Sequence, residues 1–267
     1  PNSVTTLDSY IYQITGNASG TFTLWSGASL ILGRLTGGYN KIDFPTGYTS
    51  VSLAPTSNVT FQSAAYQVIP AFNYGNLTLS SVGGSNKVAA NSFTVSGNLN
   101  VSTNTTFQLG YTLTNLPISG NLTVNGTLEF DVYNGHTVSV GGDLSGAGTL
   151  SMTTGDLHVL NLNGANNSIG TLNAVSTTTI NYGRAGAQQI FSSPNYANLT
   201  ISGGGVKTLS GTTSVSNVLT LSSGVLTTSG NSFTVSNSSS TAISGGSSSS
   251  YINGTLRRAS PVGTAAA

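Results

Sequence analysis

Residues 120–130 read GNLTVNGTLEF and residues 142–152 read GDLSGAGTLSM. Both open on Gly-Asx-Leu, both repeat Gly-Thr-Leu six positions later, and they lie 22 positions apart. The opening motif recurs. Gly75-Asn-Leu77, Gly97-Asn-Leu99, Gly120-Asn-Leu122 and Gly142-Asp-Leu144 begin 22, 23 and 22 positions apart. Gly126-Thr-Leu-Glu-Phe130 and Gly148-Thr-Leu-Ser-Met152 keep step with them. A fixed period of roughly 20 to 50 residues marks solenoids and arrays.

Between the glycines, apolar residues alternate with small polar ones. Examples are Leu77 and Leu79, Phe93 and Val95, Leu99 and Val101, Leu122 and Val124, Leu128 and Phe130, and Leu219 and Leu221. Alternation with period two belongs to a half-buried strand. No stretch has apolar spacing at three and four residues, so helix is not expected. About three short strands with Gly-, Asn- and Ser-rich turns fit one 22-residue coil. The expected fold is all-β, a parallel β-helix (β-solenoid) with about 22 residues per coil. Coils stacked at about 4.8 Å would make about twelve turns and a rod roughly 58 Å long. Leu128 would then lie over Leu150, and Phe130 over Met152. An antiparallel sandwich array also alternates, but the near-constant coil length favours the solenoid.

A longer echo overlies the short period. NYGNLTLS at 73–80 returns as NYANLTIS at 195–202, and upstream Gln67 aligns with Gln189. That reads as one corner of a larger duplicated unit, five to six coils apart.

Composition agrees with stacking. Only 5% of the 267 residues are charged, while 41 Ser, 38 Thr, 27 Asn and 34 Gly make up more than half of the chain. Like charges facing each other across a ladder repel, and hydroxyls and amides stack without that penalty. A net charge of +1 gives no field for nucleic acid or an anionic membrane. No cysteine is present, so disulfides and thiolate metal sites are excluded. No apolar run is long enough for a membrane helix, and no membrane insertion is expected. Pro1 opens the chain without a basic, apolar leader, which reads as a mature segment of a longer protein.

Residues 1–48 differ in texture, with Trp25 and four tyrosines (Tyr10, Tyr12, Tyr39, Tyr48), and are expected to form an N-terminal cap or irregular first coils. Residues 49–255 form the repeating body. Residues 256–267 read as a linker toward a further module.

In the C-terminal half, Asn198-Leu-Thr-Ile-Ser-Gly203, Lys207-Thr-Leu-Ser-Gly211, Val218-Leu-Thr-Leu-Ser-Ser-Gly224 and Tyr251-Ile-Asn-Gly-Thr-Leu-Arg257 follow one another. This wording resembles repeat segments of large surface proteins that gliding and related bacteria export by the type IX route. The resemblance is close over 198–257 and stylistic over the rest of the body. It implies an adhesin or stalk at the cell surface and carries no activity with it. The secretion domain typical of that family does not occur in this sequence.

Some β-helices are polysaccharide lyases or hydrolases, so the acids bear on catalysis. The six are Asp8, Asp43, Glu129, Asp131, Asp143 and Asp156. Hydrolysis needs a spaced carboxylate pair. Glu129 and Asp131 alternate to one outward face and read as solvated charges, so no catalytic residue is assigned. His136 and His158 are 22 apart, as are Asn134 and Asp156, and one ladder step could place His136, His158 and Asp156 together as a metal-binding set. The plainer reading is an exposed polar ladder at a turn. Gly141-Gly-Asp143 is one unrepeated fragment of a calcium-binding solenoid motif. Tyr111 and Tyr133, also 22 apart, could stack on sugar rings, although packing is the plainer account. Scattered threonines argue against an ice-binding face. No cofactor is expected. The expected function is a non-enzymatic structural or adhesive rod in a secreted or cell-surface protein, part of a larger polypeptide or surface assembly with glycans as possible partners. The alternatives are a carbohydrate- or ice-binding face and, less favoured, a lyase or hydrolase.

Overall fold

The computed structural model describes residues 6–9, 12–33, 44–130, 135–153, 157–193 and 195–260. The described residues contain no helix, and the ladders that join their strands are parallel. Successive strands go to three different sheets in turn, so the chain winds as a triangular β-solenoid.

The first face stacks Thr6–Asp8, Ser29–Leu32, Asn58–Phe61, Asn76–Leu79, Leu99–Val101, Leu122–Val124 and Leu144–Ser145. Residues 165–168 carry it on, through hydrogen bonds from Ser168 N to Leu144 O and from Gln189 N to Ala165 O. A four-stranded sheet of Gln188–Ile190, Val206–Leu209, Val225–Thr227 and Ile252–Asn253 completes it. These segments make twelve layers, or eleven turns, and a length of about 53 Å at about 4.8 Å per layer. The second face runs from Gln67–Ile69 to Thr171–Ala174 and resumes with Thr213–Val215, Phe233–Val235 and Leu256–Arg258. The third is a nine-stranded sheet from Asn73–Tyr74 to Ile243–Gly245.

Register follows the sequence ladder. Leu77, Leu99, Leu122 and Leu144 stack in order, and Leu128 pairs with Leu150. Strand after strand buries every second side chain, and these form one continuous apolar core inside the coil. The 22-residue step is a property of the middle of the chain. Near the N-terminus the coils are uneven: Leu30 pairs with Val59 after a long excursion, and Val59 with Leu77 after a short one. Between Leu160 and Leu219 they tighten, with Leu160, Ile180, Leu199 and Leu219 as successive partners. At the C-terminal end they lengthen again, Leu219 meeting Ile243 and Leu226 meeting Ile252. Turns absorb these changes while the strands keep their pairing. Ser29–Leu32 pairs with Asn58–Phe61, so hydrogen bonding runs without a break across residue 48.

The long echo is a true structural repeat, turned by one face. Gln67 stacks on Lys87 in the second face, and Gln188 stacks on Lys207 in the first. Leu77 lies in the first face and its counterpart Leu199 in the third. The two copies are therefore five and two-thirds turns apart. The inward glutamine of the second copy is Gln188, one position before the Gln189 of the plain sequence alignment.

Candidate functional site

The Gly-Asn-Leu motif builds a staircase along one edge of the solenoid. The side-chain Oδ1 of Asn76 accepts the backbone N–H of Asn98 at 2.9 Å, and that of Asn98 accepts the N–H of Asn121 at 2.8 Å. Asn121 Oδ1 takes the N–H of Asp143 at 2.8 Å, and Asp143 Oδ1 that of Asn166 at 2.9 Å. Each side chain caps a turn amide one coil above, a group that would otherwise lack a partner. The preceding glycine makes room for it. A Cβ at Gly120 would lie 2.5 Å from both Asn98 Oδ1 and the Gly97 carbonyl oxygen. Because only an acceptor is needed, aspartate serves at 143. This accounts for the calcium-like Gly-Gly-Asp fragment: Asp143 spends its carboxylate on the staircase, and its Oδ2 receives Asn166 Nδ2 at 3.3 Å.

Rings stack along the interior of the coil. Phe22, Phe44, Phe72, Tyr74, Phe93 and Phe107 follow one another with centroids 4.7–6.5 Å apart. Further along, Phe130, His136 and His158 continue in the same manner, the two imidazoles lying 5.2 Å apart and only 4° from parallel. Both histidines are fully buried, so the exposed turn ladder expected from sequence is corrected: they are polar members of the interior stack. His136 Nδ1 lies 2.5 Å from the Leu113 carbonyl and donates to it. His158 Nδ1 accepts the His136 backbone N–H at 3.2 Å. Both Nδ1 atoms are thus committed to backbone. Asp156 lies outside the described residues, and among these no three His, Asp or Glu side chains converge. Tyr111 is 62% exposed on the surface, while Tyr133, its proposed partner, and Asp131 lie outside the described residues. Glu129 points outward from its strand, in the ladder Gln108–Glu129–Ser151.

Sequence reasoning missed two interior cations. Lys87 and Lys207 are both fully buried and both terminate against a turn that offers carbonyl oxygens. Lys87 Nζ donates to Ser63 O at 2.6 Å and Ala65 O at 3.1 Å. Lys207 Nζ donates to Gly204 O at 2.8 Å, Gly186 O at 3.2 Å and Arg184 O. The glutamine beneath each lysine braces the same turn through its Oε1, which accepts Ser63 N–H at 3.1 Å in Gln67 and Arg184 N–H at 3.3 Å in Gln188. Its Nε2 ties that turn to the coil below. Gln67 Nε2 donates to Leu32 O at 3.0 Å, and Gln188 Nε2 to Leu162 O at 2.8 Å and Gly164 O at 2.9 Å. Burial, and secondarily the charge of Arg184, lowers the Lys207 pKa to about 8. A tyrosine closes each copy: Tyr74 Oη donates to Pro70 O and Tyr196 Oη to Phe191 O, both at 2.8 Å. The signal for the lysines was phase, since Lys207 alternates in step with the buried Leu209.

No protein-family model, curated protein or solved structure matches this chain.

Proposed function

We propose that this chain is a non-enzymatic structural or adhesive segment of a secreted or cell-surface bacterial protein, a stiff rod that holds a binding tip away from the cell. The unbroken stack of parallel coils carries this reading. Load between the ends passes through coil-on-coil hydrogen bonds on three faces, and the asparagine staircase adds a fourth line of them. The near absence of charge on the stacked faces suits a fibre that meets changing ionic conditions, because little of its cohesion is screened by salt. The polar side chains nearest to a catalytic or metal set are engaged with backbone, as Asp143, His136 and His158 show. No helix among the described residues is long and apolar enough to cross a membrane. The resemblance of 198–257 to exported surface repeats points the same way.

Antibodies against the folded segment test the reading on the source bacterium. They are expected to label intact cells, and brief external protease treatment is expected to remove both label and attachment to surfaces. Label that emerges only after permeabilisation, with attachment unaffected by deleting the gene, would overturn it.

A further inference from the structure

We infer that the edge between the first and second faces carries a binding groove for a neutral, hydroxyl-rich chain, a linear uncharged polysaccharide. The groove crosses four successive coils and encloses about 710 Å³. Its floor is the ladder Thr106–Thr127–Thr149, its rim is formed by Asn104 and Asn125, and Val82, 91% exposed, stands at one end. Three coil steps make it about 14 Å long.

Three features select the ligand. First, no ionisable side chain lines the groove, so neither an anion nor a cation finds a partner there. Second, its hydroxyls are available. Elsewhere such groups engage one another across coils, as in Thr21 with Ser50 at 2.7 Å, Ser26 with Thr56 at 2.6 Å, and Thr94 with Asn73 at 2.7 Å. Thr106, Thr127 and Thr149 are half-buried residues that line the groove, and the hydroxyl of each can donate once and accept twice at coil spacing. Third, the floor has no free backbone edge. Thr127 N donates to Thr105 O at 2.9 Å, Gly148 N to Val124 O at 2.9 Å and Thr149 N to Gly126 O at 2.8 Å. A peptide strand added there would find its ladder partners taken. What remains is a row of hydroxyls one coil apart, beside an Asn125 amide whose Oδ1 already accepts Ala147 N–H at 3.2 Å. That row complements a chain that offers hydroxyls repeatedly along its length. Hydrogen bonds of this kind exchange against water and hold weakly one at a time, so affinity grows with the number of coils engaged.

The test titrates the intact chain with soluble neutral glycans (amylose, hydroxyethyl cellulose, galactomannan), with alginate as the anionic control. At least one neutral glycan is expected to bind, shifting backbone amide resonances of 82–84, 104–106, 125–127 and 147–149. The triple variant T106V/T127V/T149V is expected to weaken binding at least tenfold with an unchanged circular dichroism spectrum, and Tyr111→Ala to leave binding intact. Should the triple variant not fold, the resonance map of the native chain decides alone. The inference is overturned if no neutral glycan binds, if alginate binds equally well, if the shifts cluster around Tyr111, or if a folded triple variant binds like the native chain.

Discussion

An asparagine on the staircase does one job, accepting an N–H from the coil above, and each neighbouring residue is shaped by that job. Asn98→Ala removes the acceptor for Asn121 N–H and is expected to cost about 1 kcal/mol in denaturant unfolding, the ordinary net worth of one hydrogen bond. Asn98→Asp keeps the acceptor between two neutral neighbours and should be nearly silent above pH 5. Asn121→Asp sets a carboxylate directly beneath Asp143 and should destabilise more than Asn98→Asp, with the difference shrinking in high salt. Gly120→Ala is expected to cost about 2 kcal/mol or more, because the added methyl meets the Gly97 carbonyl as well as Asn98. Asn98→Ala should therefore not rescue it in a double-mutant cycle; full rescue would contradict the backbone clash. The spacing of Gly-Asn-Leu was plain in the sequence. Its cause was not, because the glycine answers to a side chain on the coil below, a full turn away along the chain.

Single strands carry the titrating groups. Lys207 holds its proton less firmly when folded, with a pKa of about 8, than in the unfolded chain, where lysine titrates near 10.4. Between those values the unfolded state binds more protons, so stability should rise as pH climbs from about 8 toward 10. Tyr74, Tyr182 and Tyr196 act in the opposite sense. Burial raises all three above the usual phenol range, so above about pH 10 the unfolded chain ionises first and stability falls. Melting temperature against pH is thus expected to pass through a maximum near pH 10, and Lys207→Met to abolish the rising limb; a rise that persists in the variant would assign it elsewhere. Strand phase was legible here where residue type misled. Lys207 and Lys87 stand in the inward phase of their coils, yet as basic residues they read as surface groups. His136 and His158 read as a turn ladder for the same reason, and only their place in a stack of rings reveals them as interior.

Across the whole molecule, parallel stacking and the 22-residue step of the central coils could be read from the sequence, because alternation and glycine spacing both encode them. The shorter coils between Leu160 and Leu219 and the one-face rotation of the duplicated unit could not. Both depend on how much chain each turn spends, and a turn can shorten slightly without changing the strands it joins. Thr127 and Thr149 of the groove stand in the Gly-Thr-Leu motif, but the hydroxyl ladder itself forms only once their coils and that of Thr106 are stacked. Cysteine pairing tests that stacking most directly, and the chain offers a clean background with no cysteine of its own. On the third face Ser139 pairs with Asn161, and Asn161 with Asn181. Mild oxidation should close a disulfide in S139C/N161C and equally in N161C/N181C, whose backbones lie one coil apart at about 4.8 Å. It should fail in S139C/N181C, two coils and roughly 10 Å apart. Closure in the distant pair but not in the two adjacent ones would contradict the solenoid.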